Sequence, residues 1–146
     1  MTDRRDLLGQ LLPFTKELRR NEDRAATAHG VSMWQYAVLS VAEAHDPVNQ
    51  AEAAALLGYS RNRIIADIDT LEGRGLLVRE RAADRRANTL HVTPAGVTLM
   101  RAIKTDIQRG EDELLAGLTA AERNELDRSV GRVALLMHER RQAPAS

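Results

Sequence analysis

The sequence has no cysteine, one tryptophan, two tyrosines and one phenylalanine, and these shortages limit what the chain can do. Without cysteine there is no disulfide bond, no thiol-based oxidant sensing and no cysteine-containing metal site. Cationic and anionic side chains number 21 each, so any attraction to a polyanion must come from their local arrangement. Because no apolar run is long enough to cross a bilayer and no signal peptide is visible, we expect a cytoplasmic protein without membrane contact.

The sequence has few residue patterns typical of a catalytic, cofactor-binding or metal site. The histidines do not form a helical i, i+4 pair, and no phosphate-binding glycine loop or nucleophile elbow is present. We therefore expect no enzyme, no catalytic residue, no cofactor and no metal. A histidine-based metal sensor stays open as an alternative, because residues distant in sequence can meet in a fold. The histidines are His29, His45, His91 and His138.

Two short helices joined by a turn occupy the middle of the chain. Asn49 and Glu52 form a capping box for the first helix, whose apolar side is predicted to hold Ala53, Leu56 and Leu57. The turn Gly58-Tyr59-Ser60 offers a glycine for positive φ and a serine to cap the next helix. A short turn of this kind between two helices is typical of a DNA-reading helix-turn-helix.

The second helix, from Arg61 to about Arg74, has a buried face and a polar face. Its apolar residues Ile64, Ile68 and Leu71 recur at helical spacing. Arg61 and Arg63 lie in the first turn, where the helix dipole disfavours cations. A docked phosphate would resolve that conflict, although two solvated surface arginines are the simpler alternative.

A two-stranded hairpin follows Gly75, with strands predicted at 76–81 and 89–92 and arginines at the tip of its loop. An arginine on a protruding hairpin suits the narrow, strongly negative minor groove of DNA. Asp84 could orient the guanidinium of Arg86, or the two residues could only brace the hairpin.

Helices are predicted on both sides of this region. A capping box from Ser32 to Gln35 begins a helix through Ala44, with Trp34, Val38 and Val41 pointing inward. At the N-terminus, leucines at helical spacing are interrupted by Pro13, which predicts a kink or a new helix start. At the C-terminus, a helix from Pro94 to about Gly117 precedes another that begins with a capping box from Thr119 to Glu122.

These terminal helices carry more apolar surface than one compact domain needs. A second copy of the chain could cover that surface, and a two-fold dimer would place two reading helices about 34 Å apart, one turn of DNA. The alternative is an intramolecular core without a dimer. The sequence therefore predicts a mostly α fold with a small β-hairpin wing, flanked by dimerisation helices at both ends.

The run from Leu56 to Gly96, LLGYSRNRIIADIDTLEGRGLLVRERAADRRANTLHVTPAG, resembles the MarR/SlyA family of bacterial transcriptional regulators. It shares the family's turn and recognition helix and the Gly-Leu pair that follows this helix. It also shares the Asp-Arg-Arg sequence of the wing and the Leu-x-Val-Thr-Pro-x-Gly sequence of the second strand and the start of the next helix. It departs from the family at Tyr59, where a small aliphatic residue is usual. The resemblance implies that Ser60 and residues 62–70 contact the major groove, and that Arg86, braced by Asp84, enters the minor groove.

Taken together, these patterns predict four segments. Residues 1–30 form an N-terminal dimerisation helix region, 31–96 the winged helix-turn-helix, 97–141 the C-terminal dimerisation helices and 142–146 a disordered tail. The predicted DNA-binding residues are Ser60, Arg61, Asn62, Arg63, Ala66, Asp67, Thr70, Arg74, Arg85 and Arg86, with Asp84 as the wing brace.

The expected function is that of a nucleoid-associated homodimer, more a repressor than an activator, that binds a pseudo-palindromic site on double-stranded DNA. The resemblance also implies a pocket for a small aromatic or lipophilic effector that releases the DNA. Its candidate lining residues are Phe14, Met33, Trp34 and Tyr36, although a lone tryptophan on an apolar helix face is more often a core residue. The alternative function is a winged-helix architectural or protein-interaction module without ligand control.

Overall fold

A computed structural model describes residues 6–84 and 87–144 of the chain. The chain divides into two compact units, Met1–Arg109 and Gly110–Ser146. The first unit holds α1 (Leu7–Ala28), α2 (Met33–Ala44), β1 (Val48–Asn49), α3 (Gln50–Leu57), α4 (Arg61–Gly73), β2 (Leu77–Glu80), β3 (Thr89–Val92) and the larger part of α5 (Pro94–Leu114). The second unit holds the end of α5 and α6 (Ala120–Gln142). No helix among the described residues has the length and apolarity that a membrane span requires.

The three strands form one antiparallel sheet in the order β1-β3-β2. Leu77 pairs with Val92 and Glu80 with Thr89 across the hairpin. The hairpin was predicted from the sequence, with a first strand slightly longer than the observed Leu77–Glu80. The sequence did not predict β1, whose Val48 pairs with Leu90. A strand of two residues is too short to show alternation, so only its partner in the folded chain defines it. Mostly α with a small β wing is therefore the correct fold class.

The core of the first unit lies where α2 and α4 pack against the sheet. Ile64, Ile68 and Leu71 are buried, which confirms the predicted inner face of α4. They pack with buried residues of the other elements, among them Val38, Leu39, Leu77, Leu90 and Ile103. Because one face of α4 is held in this core, its opposite face is directed to solvent.

The predicted helix caps appear in the structure, but the capping box at Asn49 is only half formed, because the Glu52 carboxylate accepts from the Asn49 side-chain amide. Ser32 and Gln35 form one capping box, and Thr119 and Glu122 form the other. The Asn49 side chain accepts the N–H of Glu52 at the start of α3. Gly58 and Gly75 have φ of +66° and +72°, respectively, so each ends a helix in the left-handed conformation that glycine allows.

The helices differ from the expectations in three places. The helix α1 continues through Pro13 from its cap at Asp6, so no new helix starts there, since proline removes one hydrogen bond and the remaining turns continue. Trp34 and Leu56 are exposed rather than inward, Trp34 with 40% of its surface accessible, because each lies at the rim of its helix packing. The helix α5 ends at Leu114, three residues before the expected Gly117.

The second unit contains a helix without a core of its own. No side chain of α6 is buried among the described residues. Arg123 pairs with Asp112 at 3.0 Å and with Asp127 at 3.2 Å, which joins α6 to the end of α5. Its exposed aliphatic residues are Val130, Val133, Leu135, Leu136 and Met137. Of the tail expected at 142–146, Gln142 ends α6, and Ala145 and Ser146 lie outside the described residues.

Candidate nucleic-acid interface

The polar face of α4 is the candidate reading surface. Ser60 caps the helix and its hydroxyl accepts the N–H of Arg63 at 3.3 Å. Thr70 donates its hydroxyl to the carbonyl of Ala66 and stays on the exposed face. Because the opposite face of α4 is packed in the core, the polar face is held toward solvent. The predicted DNA-binding residues that the structure places in solvent are Ser60, Arg61, Asn62, Arg63, Ala66, Thr70 and Arg74.

Arg63 lies over two aromatic rings. Its guanidinium carbon is 4.2 Å from the ring centre of Trp34 and 4.8 Å from that of Tyr59. The two rings meet edge to face, with centres 5.5 Å apart and an angle of 70° between their planes. Such cation–π contacts stabilise a cation that the helix dipole alone would disfavour. The conflict noted in the sequence is thus partly resolved within the protein.

Asp67 is half-buried at the contact between α4 and α2. Burial raises the pKa of its carboxyl group, while the charge of Arg63 and a hydrogen bond with Gln35 act in the opposite direction. Its Oδ2 is buried and has no hydrogen-bond partner among the described residues. Asp67, which was predicted as a DNA-binding residue, is therefore directed toward α2.

Arg74, at the end of α4, forms a structural contact. Its Nη1 donates a hydrogen bond to the carbonyl oxygen of Gly30, just beyond the end of α1. Gly30 has a φ of +81°, and a Cβ there would lie 3.3 Å from the guanidinium of Arg74. The predicted DNA-binding residue Arg74 thus joins the ends of two helices.

Arg79 links the wing to the recognition helix, a role that the sequence analysis missed. Its guanidinium donates to Glu72 at 3.0 Å and to Asp69, and its backbone N–H donates to Glu72 at 3.1 Å. Burial alone would lower the pKa of Arg79, but the hydrogen bonds to Glu72 and Asp69 raise it. The hydrogen bond from Arg79 lowers the pKa of Glu72. The Asp69-x-x-Glu72 spacing, two carboxylates on one helix face before an arginine-containing strand, was the available signal.

Asn88 closes the base of the wing loop and was also missed. Its side-chain oxygen accepts the N–H of Ala82 at 2.9 Å, and its carbonyl accepts the N–H of Gln50 at 2.9 Å. Asn88 is buried, and no sequence signal distinguished it from the other polar loop residues. The exposed Asp84 accepts the N–H of Ala87 through its carbonyl oxygen at 3.0 Å. The predicted tip residues Arg85 and Arg86 lie outside the described residues.

A cleft of about 560 Å³ separates α3 and the start of α4 from the wing. Two buried polar atoms of its lining residues, Oε1 of Gln50 and Nε of Arg79, lack a hydrogen-bond partner among the described residues. The described residues that line it are Gln50, Ala51, Ala54, Tyr59, Arg61, Ile64, Ile65, Asp69, Arg79, Arg81 and Asn88. The residues predicted to line an effector pocket, Phe14, Met33, Trp34 and Tyr36, are not in this set.

Two of the four histidines pair with carboxylates. His29 contacts Asp106 at 2.7 Å, and His91 lies 3.3 Å from Asp46 and 3.2 Å from Glu80. Within residues 6–84 and 87–144, no three histidine, aspartate or glutamate side chains are arranged to hold a metal ion.

Known proteins resemble both the sequence and the fold of this chain. The model of the MarR family matches residues 29–87. A putative transcriptional regulatory protein for the hcr operon of Thauera aromatica is 30% identical over 139 residues, which cover 94% of this chain and 80% of that protein. A crystal structure of MarR is similar with a TM-score of 0.82 at 24% identity, over 97% of each chain.

Two structures of CouR add a DNA-bound and a ligand-bound relative. The transcriptional repressor CouR bound to a 23-mer DNA duplex has a TM-score of 0.70 at 31% identity, covering 88% of this chain and 92% of that one. CouR from Rhodococcus jostii RHA1 bound to p-coumaroyl-CoA has a TM-score of 0.68 at 26% identity, with the same coverage. Given the family match, the near full-length relative and a winged helix-turn-helix with an exposed polar helix face, this chain belongs to the MarR family of transcriptional regulators.

Proposed function

We propose that this protein binds a pseudo-palindromic DNA operator as a homodimer and represses transcription from it. The observation that carries the proposal is the polar face of α4, which is exposed beside a wing fixed to the same helix through Arg79. A helix presented in this way fits the major groove, which is wide enough to admit it. The adjacent hairpin then reaches the backbone or the minor groove.

Residues of α4 and of the wing are proposed to make different kinds of DNA contact. Asn62 and Thr70 carry short polar side chains suited to base edges, while Arg61 and Arg63 suit phosphates or guanine. Arg85 and Arg86 supply the wing's contact, with Asp84 as the brace of Arg86. Asp67 and Arg74 act less directly, because both contact other helices of the protein.

The homodimer is supported by aliphatic side chains that the single chain leaves in solvent. On α1 these are Leu7, Leu8, Leu11 and Leu12, and on α6 they include Val130 and Val133. A second copy that covers them gains roughly 25 cal/mol for each Å² of apolar surface removed from water. Two-fold symmetry then sets the spacing of the reading helices at about 34 Å, one turn of DNA.

Relief of repression by a small aromatic or lipophilic molecule is the regulatory part of the proposal. It is supported by the relative CouR, whose structure was solved with p-coumaroyl-CoA. Phe14, Met33, Trp34 and Tyr36 remain the candidate lining residues. Addition of p-coumaroyl-CoA to the protein–DNA complex, with free CoA as the control, tests this class of effector by release of the duplex.

The central experiment identifies the DNA. Genomic fragments retained by the purified protein are sequenced, and a labelled duplex of the recovered site is titrated at several salt concentrations. We expect an inverted repeat, a steep salt dependence and lower expression of a reporter that has the site in its promoter. Equal retention of all fragments would instead support an architectural module, and no retention at low salt would overturn DNA binding altogether.

A further inference from the structure

Arg63 is held by aromatic rings from two other elements. Trp34 lies in the first turn of α2 and Tyr59 in the turn before α4, so the rings reach the arginine from outside its own helix. The distances of 4.2 Å and 4.8 Å from the guanidinium carbon to the ring centres are within the range of a cation–π contact. Trp34 is the only tryptophan in the chain.

The contact engages the guanidinium in a particular way. A guanidinium that stacks on a ring uses its flat face and keeps its N–H donors in the plane of the group. Because the planes of Trp34 and Tyr59 differ by 70°, the guanidinium of Arg63 can lie flat on only one of the two rings. Among the described residues, no carboxylate lies within ion-pair distance of the guanidinium of Arg63, whose charge acts on Asp67 only from farther away. Its donors are thus available, while its position is restricted.

Restricting an arginine before it binds reduces the entropy that binding costs. A solvated arginine loses much of its rotamer freedom when it contacts DNA. An arginine already resting on two rings has lost part of that freedom during folding. Arg61, its neighbour in the same turn, forms no cation–π contact among the described residues and serves as an internal comparison.

We propose that Trp34 and Tyr59 are positioning residues that hold Arg63 with its N–H donors directed at a phosphate or a guanine edge of the operator. The inference rests on the proposed function, because it requires that α4 binds DNA. It gives the exposed Trp34 a role in DNA reading besides its candidate place in an effector pocket. It also explains an aromatic residue at Tyr59, where the family usually has a small aliphatic one.

A double-mutant cycle on the recovered operator duplex tests the inference. Trp34→Leu keeps an apolar side chain but removes the ring face, and we expect it to weaken binding roughly threefold to tenfold. Arg63→Ala should weaken binding by about fivefold to 100-fold. If Trp34 acts through Arg63, the variant with both changes binds no more weakly than Arg63→Ala alone.

The matched control is the same cycle with Arg61→Ala, in which the two effects should multiply. Trp34→Phe, which keeps a ring face, should restore most of the affinity that Trp34→Leu loses, and Tyr59→Leu should behave as Trp34→Leu does. Thermal unfolding of each variant separates a folding defect from a binding defect. If Trp34→Leu does not fold, Trp34→Met replaces it in the cycle.

Different results would overturn the positioning role and the proposed function. Effects of Trp34→Leu and Arg63→Ala that multiply, or unchanged affinity in Trp34→Leu, would overturn the positioning role while leaving DNA binding intact. Wild-type protein that binds no duplex would overturn the proposed function itself.

Discussion

The Nε2 of His29 lies 2.7 Å from Oδ2 of Asp106, which joins the C-terminal cap of α1 to α5 within the first unit. The hydrogen bond with His29 is the main cause that lowers the pKa of Asp106 below its ordinary value of 3.8. A depressed carboxyl pKa stabilises the folded state above the unfolded-state pKa and ceases to do so as the pH falls through the folded-state value. We therefore expect part of the acid sensitivity of folding to come from this pair.

Asp106→Asn and His29→Gln should each make the unfolding free energy less dependent on pH below 3.8. Urea titrations at several acidic pH values measure that dependence. His138→Gln, a change at an exposed position of α6, is the control and should leave it unchanged. A wild-type slope in both His29→Gln and Asp106→Asn would contradict the assignment.

Arg79→Ala should destabilise the fold. The side chain of Arg79 is only 10% exposed and donates to both Asp69 and Glu72, so its removal leaves two carboxylates without their partner. We expect the free energy of unfolding to fall by about 2 kcal/mol. Arg81→Ala is the matched control, because Arg81 is 69% exposed and 4.0 Å from Glu72, and it should cost less than about 0.5 kcal/mol. Denaturant unfolding of the two variants measures both changes, and equal losses of unfolding free energy would contradict the prediction.

Gly96→Ala should be destabilising because α5 begins close against the wing. A Cβ at Gly96 would lie 2.2 Å from the carbonyl oxygen of Leu76 and 2.7 Å from Cγ1 of Val92. The helix or the strand must then shift, at a cost of about 1–3 kcal/mol. At Gly131, in α6, an added Cβ meets no described atom within 4 Å, and alanine there should stabilise the chain by about 0.4–1 kcal/mol. Thermal unfolding measures both variants, and unfolding temperatures that shift in the same direction would contradict this prediction.

Two substitutions separate the wing from the reading helix. Arg86→Ala should weaken binding on all duplexes and reduce the salt slope by about one, as expected for loss of a backbone or groove contact. Asn62→Ala should instead change the preference at one base pair by about 1–3 kcal/mol. Titrations against the operator and its single-base variants distinguish the two patterns. Unaltered affinity in Arg86→Ala would remove the wing from the interface.

Charged residues on the exposed aliphatic helices should produce monomers. Leu11→Glu on α1 and Val133→Glu on α6 place a charge where the proposed partner packs, and burial of an unpaired charge is costly. Val133 is 54% exposed in the single chain, and Val78 on β2, at 50%, is the matched control. Sedimentation should find monomers for the first two variants and dimers for Val78→Glu. Dimers for all three would place the interface elsewhere.

Signals local to the chain were the ones that sequence analysis interpreted correctly. The spacing of Ile64, Ile68 and Leu71 predicted which face of α4 is buried, because helical geometry alone determines which residues share a face. Capping residues and left-handed glycines likewise depend on neighbours within a few positions. The short β1 and the continuation of α1 through Pro13 depend on packing that no local pattern contains.

By itself, the sequence determined the fold class, the two helices of the reading motif and the polar surface that one of them exposes, since these follow from periodicity and capping. Tertiary structure alone decided that Trp34 and Tyr59 hold Arg63, that Arg79 ties the wing to α4 and that Arg74 joins two helix ends. Each of these contacts joins different elements, and no rule of sequence spacing specifies which long side chain meets which ring, carboxylate or carbonyl once the chain has packed.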